Sequence, residues 1–153
     1  MLLSIDTSAG TSAALFDGEK LVSSVFFDDP FGHAENIAKA ITGVLSQANV
    51  AVNVIENVAV GIGPAPYTGL RVGIAAAKAL AGPLGVGLHG VMVLDAIAFS
   101  RSENRLLVTT DAKRAELFAA GYLGGNREFG PRVIEPSALA DYGDYEHISE
   151  PAD

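Results

Sequence analysis

The sequence predicts an α/β fold in two parts: a lobe with a three-strand meander and packed helices, then a second, shortened lobe. Three observations carry this expectation. Strand-type segments come three in a row before the first helical one. Helical and strand segments then alternate as far as Arg101, and a new hairpin pattern starts at Arg105. Residues 1–102 therefore read as the first lobe and 103–153 as a partial second one.

Leu2 to Asp6 is an apolar strand with an acid at its end. Ser12–Phe16 and Leu21–Phe27 follow, joined by Asp17-Gly18-Glu19-Lys20, whose Asp-Gly step signals a hairpin. Ile37, Ile41, Val44, Leu45 and Ala48 recur at helical spacing, which predicts a helix over Ala34–Ala48. Val58–Ile62 is a strand of the fully buried type. Thr68 is placed to cap a second helix, Thr68–Ala81, and Gly82-Pro83 to stop it. A short strand at Val86–Leu88 and a helix at Leu94–Arg101 complete the first lobe. Arg105–Thr110 and Ala115–Tyr122 form a hairpin around Asp111-Ala-Lys-Arg114. Gly124-Gly125-Asn126 is a loop, and Pro136–Tyr142 one short helix. A Rossmann chain alternates strand and helix from its start, and this one does not. The order matches one lobe of the actin-like, sugar-kinase-like superfamily, whose lobes are ribonuclease H-like and open on a meander ending in an acid.

Composition narrows the function classes. Half of the 153 residues are hydrophobic, enough for a real core, and the absence of cysteine excludes disulfides and thiolate metal sites. No signal peptide or membrane span is present in the sequence, so a cytoplasmic protein without membrane contact is expected. A net charge of −8 repels phosphate backbones, so unaided tRNA or other nucleic-acid binding is not expected. The acids Glu135, Asp141, Asp144, Glu146, Glu150 and Asp153 read as a solvated, frayed end.

The richest local signal is Gly61-Ile-Gly63-Pro-Ala-Pro-Tyr-Thr68-Gly69-Leu-Arg71-Val-Gly73. A strand, a Gly/Pro loop and a helix start are the parts of an anion site, because free N–H groups and the helix dipole converge there. Pro64 and Pro66 withhold two donors, no Gly-Lys-Ser/Thr follows, and the third glycine of a dinucleotide fingerprint is missing. The loop is either a relic of a nucleotide site or a packing device. Asp6-Thr7-Ser8 sits where superfamily members place magnesium and phosphate, and it also suits a plain polar strand end. At the matching turn of the second lobe, Asp111-Ala-Lys-Arg114 has cations where glycines would let phosphate approach. Asp111 and Glu116 there read as hairpin residues paired with Lys113 or Arg114. His33, His89 and His147 lack metal-ligand spacing, so no metal is expected, and His33 reads as a capping or packing residue. Gly69, Gly73, Ala77 and Ala81 recur every four residues, a smooth helix strip made for close approach by the lobe's own sheet or by another subunit.

Asp6-Thr7-Ser8, His33-Ala-Glu35, the loop Gly63 to Gly73, and Asp111-Ala-Lys-Arg-Ala-Glu116 resemble, in order and spacing, the bacterial TsaB (YeaZ) family from Met1 to about Tyr122. The family's usual loop reads Gly-Pro-Gly-Ser-Phe-Thr-Gly-Leu-Arg-Ile-Gly, and this chain departs from it at Ala65, Pro66, Tyr67 and Val72. The resemblance implies a non-catalytic relative of TsaD that helps it attach threonylcarbamoyl to the adenosine beside the anticodon in tRNAs reading A-starting codons. It implies a TsaD-like partner, a TsaE-like ATPase in the larger complex, and a homodimer when alone. It places the subunit interface on the first-lobe helices, at Ile37, Ile41, Gly69, Gly73, Ala77 and Ala81. Asp6, Thr7, Ser8, Gly63, Thr68 and Arg71 would then be a vestigial nucleotide loop, with no cofactor or only weakly held nucleotide. The rival readings are an ATP-dependent phosphotransferase and a glycoprotease-like metallopeptidase.

Overall fold

Period-two alternation sets the first strand. In β1 (Leu2–Asp6), Leu3 and Ile5 point into a core, while Leu2, Ser4 and Asp6 point away from it. The computed structural model describes residues 1–29, 31–101 and 105–150. β1 pairs antiparallel with β2 (Thr11–Asp17), and β2 with β3 (Lys20–Phe27), which is the expected meander. Gly18, at φ 58°, takes the left-handed position that a two-residue hairpin turn requires.

α1 (His33–Ala48) lays Ile37, Ala40 and Val44 on that meander. It ends at left-handed Asn49 (φ 53°), with the Val50 N–H bonded back to the Leu45 carbonyl. β4 (Asn57–Gly61) runs parallel to β1, and β5 (Gly87–Val91) parallel to β4, giving the sheet order β3-β2-β1-β4-β5. Between them lies α2 (Tyr67–Leu84). This helix runs through Gly82-Pro83 rather than stopping there. The missing Pro83 N–H costs one bond in a turn that is closing anyway. Left-handed Gly85 (φ 66°) ends it, with Val86 N–H on the Ala81 carbonyl and Gly85 N–H on that of Gly82. Val86 is thereby spent on the cap, so the strand expected from Val86 begins at Gly87.

The chain divides into two compact units, 1–62 with 67–91 and 63–66 with 92–153. The expected boundary at 102/103 lies outside the described residues, as does Asp153. The third helix, α3 (Val93–Phe99), was expected to complete the first lobe. It belongs to the second unit, where Leu94 and Ala98 are buried with Leu106, Val108, Tyr122 and Ile148.

The second sheet has the order β8-β7-β6-β9. β6 (Arg105–Lys113) and β7 (Glu116–Leu123) are the expected hairpin, each longer than its apolar run. β8 (Asn126–Ile134) and β9 (Glu146–Glu150) lie beyond what the pattern indicated. The Phe129 ring lies where a β-carbon on Gly121 would stand, so any side chain at that position in β7 must displace the ring. Pro136–Tyr142 is the expected short helix, of 3-10 type. β9 corrects the reading of a frayed acidic end: Glu146–Glu150 pairs parallel with β6, and Ile148 is 5% exposed.

Buried Tyr122 donates to Asp95 Oδ1 at 2.7 Å, which ties β7 to α3. Burial first, and this bond second, push its phenol above the ordinary value of 10.0. A folded-state pKa above the unfolded one adds stability that is full below the unfolded pKa and fades as pH rises past it. Stability is therefore expected to fall above about pH 10, and Tyr122→Phe to lack that component. Thermal melts across roughly pH 8 to 11 check this, and identical slopes in the two proteins would contradict it.

Candidate functional site

β1 delivers Asp6 to its carboxyl end beside Gly61 of β4, because Ile5 pairs with Val60. Asp6 Oδ1 accepts the Ser8 N–H and Oδ2 accepts the Ser8 hydroxyl, each at 2.9 Å. The carboxylate is thus folded over its own turn. A β-carbon on Gly61 would collide with Oδ2, so any larger residue there must displace the Asp6 carboxylate from its present position.

Thr7 turns the other way and is 1% exposed. Its hydroxyl donates to the Gly69 carbonyl of α2 at 2.8 Å. A β-carbon on Gly73 would collide with Thr7 Oγ1, and one on Gly69 would stand 2.7 Å from the Thr7 carbonyl oxygen and 2.8 Å from His33 Nε2. The two glycines therefore form the slot that receives Thr7 and His33. Ala77 and Ala81 continue the strip in the core, where Ile37 is also buried and against which Ile41 packs. The strip faces its own unit, which is the packing alternative for the motif. His33 sits buried at the start of α1 with Nδ1 3.1 Å from Thr11 Oγ1.

Thr68 and Arg71 lie on the exposed side of α2. The helix starts at Tyr67, so Thr68 is inside the first turn instead of capping it, and the Arg71 guanidinium stacks 4.9 Å from the Tyr67 ring centroid. Gly63 is buried, left-handed at φ 90°, and belongs to the second unit, where its carbonyl accepts the Val93 N–H. Of the six residues expected in a nucleotide loop, Asp6 and Ser8 bond each other and Thr7 fills the helix slot. Thr68 and Arg71 are on the helix surface.

In the second unit Asp111 accepts from the Lys113 N–H (2.6 Å) and from Lys113 Nζ (2.7 Å), and Lys113 holds its carboxyl below the ordinary value. Lys113, Arg114 and Ala115 are all left-handed, at φ 66°, 57° and 61°. Each such non-glycine residue costs roughly 1–2 kcal/mol, so the turn is held against a backbone preference. The Asp111 carboxylate is thereby engaged by its own turn. Among the described residues no group of three or more His, Cys, Asp or Glu could hold a metal, and no helix is long and apolar enough to cross a membrane.

The family model described as TsaD, tRNA N6-adenosine threonylcarbamoyltransferase, matches residues 31–150. A Mycobacterium leprae (strain TN) protein, described as uncharacterized, is 38% identical over 97% of this chain and 44% of its own length. The tRNA threonylcarbamoyladenosine biosynthesis protein TsaB of Escherichia coli (strain K12) is 27% identical over 79% of this chain and 54% of its own. The chain thus spans about half the length of these two relatives. A Pseudomonas aeruginosa crystal structure, described as similar to peptidase YEAZ, superposes with a TM-score of 0.78 at 24% identity, over 99% of this chain and 70% of that one. A ROK hexokinase of Thermus thermophilus does so at 0.52 and 22% identity, over 86% and 48%. These two likenesses are of fold, and they bear out the actin-like, sugar-kinase-like architecture.

Proposed function

The chain belongs to the TsaB (YeaZ) family, and on that premise we propose that it is a non-catalytic scaffold subunit of the cytoplasmic machinery that threonylcarbamoylates the adenosine next to the anticodon. Its partner in this reading is a TsaD-like catalytic subunit, with a TsaE-like ATPase in the larger assembly. The observation that carries the scaffold reading is that both strand-end acids are engaged at home, Asp6 by Ser8 and Asp111 by Lys113. A phosphotransferase of this fold needs those carboxylates turned toward magnesium and phosphate.

The docking face in this reading is the solvent side of α1 and α2. The side of α2 opposite the glycine strip carries Arg71, Ala75, Lys78 and Ala79, all exposed, and α2 contains no acid. Transfer-RNA contact falls to the partner, because this chain carries a net −8. The isolated protein is expected to show neither ATPase nor peptidase turnover with magnesium, zinc or iron. Turnover that disappears in Asp6→Ala would overturn the scaffold reading.

A further inference from the structure

Three aromatic rings of the second unit converge on one surface of its sheet. Phe129 stands on β8, Tyr142 ends the short helix Pro136–Tyr142, and the Tyr145 N–H bonds back to the Tyr142 carbonyl at 2.9 Å. Phe129 and Tyr142 are stacked with centroids 5.5 Å apart, and Tyr145 meets both edge-on, at 5.8 and 6.1 Å. The rings pack against buried Leu107, Ala119 and Ile134, and each stays half-buried.

Two arginines lie over these rings, and they differ in one respect. Arg105 Cζ is 4.3 Å from the Tyr145 centroid, and its Nε donates to Glu128 Oε2 at 3.2 Å. Tyr145 donates its hydroxyl to the same oxygen at 2.7 Å, so the Arg105 charge is neutralised within the cluster. Arg132 Cζ is 4.0 Å from the Phe129 centroid and 5.7 Å from that of Tyr142. It is exposed, and among the described residues it makes no ion pair and no hydrogen bond. The rings thus fix where the Arg132 guanidinium lies and leave its outer face and its five N–H donors open.

A ligand for that group is flat, to lie on the guanidinium, and carries acceptors at its edge, to meet the N–H fork. An unpaired nucleobase has both properties, and proteins take up single-stranded RNA on such arginine and aromatic surfaces. We propose that Arg132, held over Phe129 and Tyr142, is the stacking platform for an unpaired base of the RNA that the assembly modifies. This role rests on the scaffold reading, which supplies an RNA whose target adenosine lies in a loop. The net charge of −8 opposes phosphate contacts, and those fall to the partner. Stacking uses the face of a base instead, and it forms once the partner holds the RNA close.

Photo-cross-linking tests the platform in the isolated protein. A single-stranded oligoribonucleotide carrying 5-iodouridine, irradiated with the protein at low salt, is expected to give an adduct within residues 129–145, located by mass spectrometry. A duplex of the same sequence is expected to give none, and Arg132→Ala to cut the yield roughly tenfold. In the assembly reconstituted with the TsaD-like subunit, Arg132→Ala is expected to raise the tRNA KM roughly tenfold at unchanged kcat, the effect of one lost stack. Arg132→Lys keeps the charge and loses the plane, so it is expected to behave like Arg132→Ala. Both variants are expected to stay folded, since Arg132 is exposed and outside the buried core. No adduct within 129–145, or an unchanged KM, overturns the proposal. Full rescue by Arg132→Lys would mark a phosphate contact, and lost co-purification of the partner at unchanged KM a protein-docking residue; either contradicts the platform. If the unaltered assembly modifies no tRNA, the scaffold reading fails and the cross-link alone decides the platform.

Discussion

Gly73→Leu is expected to destabilise the first unit strongly and to leave partner binding per folded molecule unchanged. Gly73 has no room for even a β-carbon, because Thr7 Oγ1 occupies that space and is held there by its bond to the Gly69 carbonyl. Four added carbons must push α2 off β1 or break that bond and bury an unpaired hydroxyl. Overpacking typically costs ~1–3 kcal/mol, and an unsatisfied hydroxyl roughly as much again. For a unit of this size, at roughly 4–8 °C per kcal/mol, that is a drop of about 8 °C or more in melting temperature. Were the strip a subunit surface, the same change would spare the melt and abolish association. A thermal melt beside light scattering of the folded fraction separates the two, and an unchanged melt with lost association would refute the packing assignment.

The second large effect is expected at Ile148→Asp. Ile148 is the inward residue of β9, packed with Leu94, Leu106, Val108 and Tyr122. A carboxylate there would be buried with no partner assigned to it, which typically costs several kcal/mol, about 3 or more. Hydrogen exchange across Leu106–Thr110 is expected to lose its protection, because β9 pairs with that stretch of β6. Had this acidic segment been a frayed end, the substitution would change neither observable, and that result would contradict the strand.

The same residue explains what the sequence left hidden. Glu-His-Ile-Ser-Glu offers one apolar position between two acids, so no local pattern marks it as a strand. Its strand character comes from pairing with β6, distant in sequence. The meander, α1 and the β6–β7 hairpin were legible because each carries its own periodicity or turn chemistry. α3 was legible as a helix but not in its placement, since Leu94 and Ala98 fit an apolar sheet on either side of it. At the site, the glycine strip was visible and its target was not. The facing residue, Thr7, is a threonine that composition assigns to a polar turn. The close approach of Gly61 to Asp6 was equally invisible, because it arises only once β1 and β4 pair in parallel.

The proposed scaffold role, support of threonylcarbamoyl transfer without catalysis of it, is tested by reconstitution with the TsaD-like subunit encoded in the same genome, scoring modified adenosine in tRNA. Neither protein alone should modify tRNA efficiently, and together they should. The Asp6→Ala and Asp111→Ala forms of this chain should support the reaction as well as the unaltered one. Loss of modification in either variant while the complex still assembles would contradict the account, as would full activity of the partner in the absence of this chain.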